Sequence, residues 1–357
     1  MGGRLGLLER LEQGIVLGAE GYVFELERRG YVQAGAYVPE VVMDHPEAVK
    51  ELHREFLRAG SDVMVALTYY AHREKLKTIG SEGELEALNR QAVRLAKEVA
   101  AEGDALVAGN ISNTWVYDPK KHEETSELVR QMYEEQVRWA ADEGADLILA
   151  ETLGYLAEGL IALEVIQDHG LPAVINFGST HAELWDGYSY EEACRILEER
   201  GADVVGLNCS RGPHTMLPIL KRIRESVSCY VAALPVAYRT TDKQPTFQAL
   251  TDEGEGRVFP IGLDPFQTTR FEMADFAVKA QELGVNYLGA CCGAAPHHVR
   301  AMAEALGRTV PASRYSPDMS LHPMLGTKVQ ERDQAFLEEW NDGACRPPAW
   351  KRRRRGC

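Results

Sequence analysis

Eight times along this chain a short run of Val, Ile, Leu and Ala gives way to a longer amphipathic stretch, and that alternation is the strongest constraint on its fold. The apolar runs are Ile15–Gly18, Asp62–Thr68, Ala105–Ala108, Asp146–Ala150, Pro172–Asn176, Asp203–Asn208, Cys229–Leu234 and Asn286–Ala290. Short apolar runs without polar alternation are what parallel strands covered on both faces require. The intervening stretches carry one apolar stripe at helical spacing. His45–Ala59 has Val49, Leu52, Phe56 and Leu57 on that stripe, and Gly83–Glu102 has Leu85, Leu88, Ala92, Leu95 and Val99. Thr125–Glu143, Tyr155–His169, Tyr190–Glu199, Met216–Glu225, Thr268–Leu283 and His297–Leu306 complete the helices. Helix hands over to strand through Ala59-Gly60-Ser61-Asp62, Glu102-Gly103-Asp104, Glu143-Gly144-Ala145-Asp146 and Arg200-Gly201-Ala202-Asp203, with Gly284 before the last strand. Glycine in that place accepts the left-handed conformation that ends a helix. Eight such units without a break in composition predict an α/β fold, a single closed (β/α)8 TIM barrel over residues 10–310. A doubly wound sheet competes, but no Gly-rich phosphate fingerprint follows the first strand.

Two segments depart from the pattern. Val236 to Phe266 is a long connection with little helical periodicity, the kind that forms a lid or binding loop. Residues 311–357 read as a partly disordered C-terminal extension for packing or homo-oligomer contact, with Ala335–Trp340 its one helix candidate.

Charge and cysteine usage narrow the partners. With 39 basic and 54 acidic residues the net charge is −15, which repels a phosphate backbone and argues against nucleic acid. The basic run Lys351–Arg355 follows Pro347-Pro348 and reads as a solvated tail. No apolar stretch approaches bilayer-spanning length, so no membrane partner is expected. The N-terminus carries no secretory apolar region and the seven cysteines are an odd number, so reduced thiols and a cytoplasmic setting are expected.

Three of those thiols converge. Cys209 closes Val204-Val205-Gly206-Leu207-Asn208, and Cys291-Cys292 closes Tyr287-Leu288-Gly289-Ala290. All three fall at strand C-terminal ends, where parallel barrels build active sites. A vicinal pair bonds to itself only with strain, whereas three thiolates suit Zn²⁺ with one position open for chemistry. Cys194 and Cys229 read as packing. The same rim carries Glu20, Tyr69, Tyr70, Asn110, Glu151, Asn176, Asn208 and Pro235. Zinc holds an incoming thiol as thiolate at neutral pH, so alkyl transfer to sulfur is the expected chemistry. Tyr37, Tyr69 and Tyr70 suit an aromatic cage for an onium group. Glu151 on a buried strand tip needs a cationic partner, which a substrate α-amino group would supply.

These residues resemble the zinc-dependent homocysteine S-methyltransferase family, and its betaine branch most closely. The likeness rests on Gly206-Leu207-Asn208-Cys209, Gly289-Ala290-Cys291-Cys292-Gly293 and Ala150-Glu151, and on blocks such as Arg29-Gly30-Tyr31-Val32, His45-Pro46-Glu47-Ala48-Val49 and Leu52-His53-Arg54-Glu55-Phe56. It implies Zn²⁺ on Cys209, Cys291 and Cys292, homocysteine bound through sulfur with Glu151 near its amino group, and a methyl donor held by Tyr37 and Tyr70. Asn208, Tyr69, Thr152 and Glu20 complete the expected substrate site. The implied reaction moves a methyl group from an onium donor, glycine betaine first, to homocysteine, giving methionine without a nucleotide or cobalamin cofactor. A sulfonium donor (dimethylsulfoniopropionate or S-methylmethionine) and a non-catalytic zinc-binding relative are the alternatives. Two departures stand out. The family's Asp-Gly-Gly after the first strand is Ala19-Glu20-Gly21 here, and the Tyr after the strand-four Glu, a resting zinc ligand in the betaine enzymes, is Thr152.

Overall fold

The computed structural model describes residues 4–178, 180–252 and 256–322. The expected helix Ala335–Trp340, the basic run Lys351–Arg355 and the rest of the extension beyond residue 322 lie outside them. Eight strands close a parallel barrel in sequence order: β1 Val16–Ala19, β2 Val63–Val65, β3 Leu106–Ser112, β4 Leu147–Leu153, β5 Ala173–Phe177, β6 Val204–Asn208, β7 Tyr230–Leu234 and β8 Tyr287–Leu288. The ring is sealed where β1 pairs β8, Val16 against Tyr287 and Leu17 against Leu288. The helices that follow the strands are α1 Pro46–Ala59, α2 Leu85–Ala100, α3 His122–Asp142, α4 Leu156–Asp168, α5 Tyr190–Glu199, α6 Pro213–Ser226, α7 Arg270–Glu282 and α8 Pro296–Ala305. The barrel belongs to a compact unit that ends at Ser313.

The Gly-x-Asp hand-over does more than end helices. Gly60, Gly144, Gly201 and Gly284 take positive φ, so each helix stops there; Gly103, expected to act likewise, does not. The acidic or amide residue that follows then crosses to the preceding strand. Asp62 Oδ2 accepts Leu17 N–H at 2.8 Å, Asp146 Oδ2 accepts Val107 N–H at 2.8 Å, and Asp203 Oδ2 accepts Ala173 N–H at 2.9 Å. Asn286 Oδ1 repeats the contact on Val231 N–H at 3.3 Å. Every even strand is thereby keyed to the odd strand before it at the bottom of the barrel. Each contact satisfies an otherwise unpaired backbone donor.

Strand lengths differ from expectation in a way that matters for the site. β3 and β4 run to Ser112 and Leu153, beyond the expected ends Ala108 and Ala150, because their pairing continues through Asn110↔Leu149 to Ser112↔Glu151. Polar Asn110 and Glu151 break the apolar run in sequence, yet they bond to each other across the strands and leave the ladder intact. β2 and β8 are shorter than expected. The connection from Val236 is not a bare loop. It carries a turn of 3₁₀ helix at Phe247–Ala249, a two-stranded ribbon of Thr251–Asp252 with Gly256–Arg257, and an apolar cluster of Val236, Tyr238, Phe247, Leu250, Val258 and Leu263 that includes Cys209 and Cys291. No helix among the described residues is long and apolar enough to cross a membrane.

Candidate active site

β7 is the jig that spaces the thiols. Cys209 N–H donates to Leu234 C=O at 2.9 Å, and Cys291 N–H donates to Pro235 C=O at 2.8 Å, so both cysteine-bearing strand ends hang from consecutive carbonyls. Glycine makes the approach feasible. A Cβ on Gly206 would lie 2.0 Å from the carbonyl oxygen of Ala232, and one on Gly293 would lie 2.4 Å from the ring of Tyr238. The motif glycines beside Cys209 and Cys292 are therefore steric requirements.

The result is a tight trio. Cys209 Sγ is 3.6 Å from Cys292 Sγ, Cys291 Sγ is 3.9 Å from Cys292 Sγ, and the three sulfurs all lie within 4.8 Å of one another. Sulfurs bound to one tetrahedral zinc at 2.3 Å sit roughly 3.8 Å apart, so the donor set and its spacing fit that ion. The protein alone holds these groups as an electrostatic unit. Hydrogen bonds from Cys291 and then Cys292 pull the Cys209 thiol well below its ordinary pKa, while contact with Cys209 pushes both neighbours well above theirs.

Two carboxyls share the floor. Glu151 Oε1 accepts from Asn110 Nδ2 at 2.6 Å and Oε2 from Asn208 Nδ2 at 2.8 Å. Burial, followed by the nearby Cys291, raises its pKa to about 8. Asn208 also accepts from Thr152 N–H at 2.6 Å and reaches Thr152 Oγ1 at 2.9 Å, so it braces β4 against β6. Glu20, directly after β1, is 3 % exposed, and neither of its oxygens has a hydrogen-bond partner among the described residues. Burial and then the charge of Glu151 push its pKa well above the usual carboxylate range. Ligand atoms of Glu20, Glu151 and Cys291 lie within 4.8 Å of one another.

These groups open into a cavity of about 500 Å³. Of the expected residues, Glu20, Tyr37, Tyr69, Tyr70, Asn110, Glu151, Thr152, Cys209, Cys291 and Cys292 line it. Asn208 does not line it and acts from behind, through Glu151 and Thr152. Asn176 and Pro235 stay out of the lining as well. The tyrosines are not a bare cage: Tyr69 and Tyr70 lie 4.2 Å apart, and Tyr37 stacks on Phe24 at 5.6 Å. Lys75 places its ammonium 4.2 Å from the centre of the Tyr70 ring.

Backbone strain marks the same place. Among the described residues six non-glycines have positive φ: Tyr37, Tyr70, Trp115, Thr152, Cys209 and Ser210. Five of the six line the cavity. Such conformations cost about 1–3 kcal/mol each and persist where surrounding structure enforces them, typically at functional sites.

The family profile described as homocysteine S-methyltransferase matches residues 19–306. The chain belongs to the homocysteine S-methyltransferase family. Betaine–homocysteine S-methyltransferase 1 of Mus musculus is 36% identical over 97% of this chain and 89% of its own length. That of Xenopus laevis is 39% identical over 86% of this chain and 76% of its own. The S-methylmethionine–homocysteine S-methyltransferase of Pongo abelii is 34% identical over 96% and 93%. The metallated form of the homocysteine methyltransferase MmuM from Escherichia coli shares the fold, with TM-score 0.66 and 22% identity over 82% of this chain and 96% of that one. The protein is thus a homocysteine S-methyltransferase.

Several cavity residues of this methyltransferase escaped the sequence. Phe24, Lys75, Trp115, Trp185, Phe247 and Phe259 come from connections rather than strand ends. Trp115 is 60% exposed, donates to Tyr70 Oη at 3.2 Å and lies 5.9 Å from Trp185. A tryptophan three residues past the end of β3 is the signal in the sequence that could have pointed to it.

Proposed function

We propose that this enzyme moves a methyl group from a carboxylate-bearing onium compound, glycine betaine foremost, to homocysteine held on zinc by Cys209, Cys291 and Cys292. The observation that carries the metal assignment is the spacing of three buried sulfurs at the end of the barrel. Zinc bound there would keep the substrate sulfur as a thiolate at neutral pH. Glu151, aimed by Asn110 and Asn208, accepts the substrate ammonium, with Glu20 as a second carboxylate beside it. Tyr37, Tyr69 and Tyr70 take the onium group through their ring faces. As the S–C bond forms the C–N bond breaks, and its electron pair stays on nitrogen. Products are methionine and the demethylated amine.

Lys75 supports the choice of donor class. It is the single Lys or Arg among the described residues lining the cavity, and no carboxylate among the described residues pairs it. Half-burial lowers its pKa, a tension that an anionic ligand would relieve. A donor with an onium at one end and a free carboxylate at the other suits aromatics beside a lysine. Glycine betaine and dimethylsulfoniopropionate have that form. S-methylmethionine carries its carboxylate beside an ammonium, which weakens the pairing with Lys75 and ranks it third although one relative is named for it.

Zinc-loaded protein, homocysteine and a panel of glycine betaine, dimethylsulfoniopropionate, S-methylmethionine and choline test this, with methionine as readout. Turnover restricted to the first two supports the reading. Turnover of choline or S-methylmethionine alone overturns the role of Lys75.

A further inference from the structure

Glu20 is the most anomalous group in the protein. A carboxylate this deeply buried needs a donor or a cation, yet neither oxygen accepts from an N–H or hydroxyl, and the side chain close enough to share a proton with it is another carboxyl, Glu151. Its close neighbours, Glu151 and Cys291, are themselves acidic. Glu151 does not share its predicament, because Asn110 and Asn208 occupy both of that carboxylate's oxygens. Thr152, at the position where the betaine branch carries a tyrosine, has its hydroxyl bonded to Asn208. Of the two carboxyls beside the thiols, only Glu20 receives no N–H donor on either oxygen.

Its backbone is fixed toward the metal cluster. Gly21, at φ +93°, is pressed so closely on the turn carrying Cys291 that a Cβ there would lie 3.0 Å from the Cys291 carbonyl oxygen. A Glu20 oxygen and Cys291 Sγ lie within 4.8 Å. A sulfur and an oxygen on one tetrahedral zinc, bound at about 2.3 and 2.0 Å, sit roughly 3.5 Å apart. Cys209 and Cys292 lie beyond 4.8 Å from the Glu20 oxygens, so a side-chain rotation toward the trio is part of the assignment.

We infer that Glu20 is the fourth ligand of the resting metal centre and that the homocysteine thiolate displaces it. The inference rests on the zinc reading above. In the exchange the Glu20 oxygen leaves the metal, the substrate sulfur takes its place, and the thiol proton is released to solvent. The charge of the metal's own ligand set is unchanged, and the freed Glu20 carboxylate stays beside Glu151, where the substrate ammonium offsets it. Glu20 closes the metal between turnovers and leaves one position for the substrate thiolate.

Cobalt(II) in place of zinc reports the ligand set by its visible absorption, independently of activity. With full-length, reduced protein, Glu20→Gln should alter the substrate-free cobalt spectrum and lower zinc affinity in chelator competition by at least about tenfold, the scale reached by losing even an outer-shell partner. After homocysteine is added, wild type and Glu20→Gln should give the same four-sulfur spectrum, which also shows that the variant is folded. Glu20→Asp, which keeps the charge on a shorter stem, should fall between them, and Glu151→Gln should leave the substrate-free spectrum as it is. Equal spectra and equal zinc affinity in wild type and Glu20→Gln would overturn the assignment while leaving the three-thiolate site standing. A spectrum that responds to Glu151→Gln instead would also overturn it. A wild-type chain that binds neither metal on its thiols would remove both readings together.

Discussion

The ε-ammonium of Lys75 lies 4.2 Å from the centre of the Tyr70 ring and 5.9 Å from that of Trp115. A cation of the protein therefore already sits on the aromatic surface proposed for the methyl donor, and a donor must share that surface with it. Lys75→Met removes the charge and keeps the length. The KM for glycine betaine should rise roughly tenfold, a charge-assisted hydrogen bond discounted for its half-exposed setting, with the homocysteine KM little changed. An unaltered betaine KM would mean Lys75 serves Tyr70 rather than the donor.

Tyr70 itself separates cage from packing. Tyr70→Ala should raise the donor KM several-fold more than the homocysteine KM, since a well-placed ring contributes roughly 0.5–2 kcal/mol to a bound cation. Equal losses for both substrates would assign the ring to packing against Tyr69 and Trp115.

Reduced, purified protein should carry about one zinc per chain. Cys209→Ala, Cys291→Ala and Cys292→Ala should each lose the metal and the methionine-forming activity, and chelation followed by zinc should remove and restore that activity in wild type. Full zinc occupancy in Cys292→Ala, read by metal analysis, would rule out a three-sulfur site.

Asn208 is expected to act through Glu151. Asn208→Ala frees Glu151 Oε2 and both polar contacts of Thr152, and removes the 3.9 Å contact of the Asn208 amide with Cys291 Sγ. Losing a hydrogen bond to a charged group costs about 1.5–3 kcal/mol, so the homocysteine KM should rise roughly 10- to 150-fold. The donor KM should hold, while zinc affinity falls with the lost contact to Cys291 Sγ. An unchanged homocysteine KM at saturating zinc would show that Asn208 does not act through Glu151.

Acid sensitivity should come from buried neutral histidines. Burial lowers the pKa of His53 to about 3, and those of His72 and His298 to about 4, against an ordinary 6.5. Between 6.5 and these values the three histidines hold more protons in the unfolded chain, while the raised carboxyls of Glu20, Glu151 and Glu158 hold more in the folded one and act in the opposite sense. The histidines' own contribution is therefore complete above about pH 6.5 and is lost as pH falls toward 4 and 3. His53 alone corresponds to roughly 4–5 kcal/mol at the acid end. The difference in urea midpoints between wild type and a His53 variant, in metal-free, reduced protein, isolates that share. His53→Gln, although weaker at pH 7 for want of the His53–Tyr22 contact, should lose stability less steeply; an identical slope would contradict a buried neutral His53.

Strand count, strand order and the location of the thiols were legible in the sequence because their causes are local. An apolar run of four to seven residues, a helical stripe and a glycine before an aspartate are each written within one segment, and eight repeats of them leave a closed barrel as the economical solution. Cys209 and Cys291-Cys292 followed from that, since a residue closing a strand run must arrive at the barrel's upper rim. β3 and β4 run past their expected ends at Asn110 and Glu151, whose polarity is cancelled by a partner on the neighbouring strand. The tertiary structure alone decided that Glu151 is held on both oxygens while Glu20 is held on neither, that Asn208 works from behind the site, and that Lys75, Trp115 and Phe24 join the tyrosines. Each of these depends on distances between segments separated by tens to more than a hundred residues. Side-chain periodicity carries no record of them; they are set by strand register and by the strained turns at Tyr70, Thr152 and Cys209.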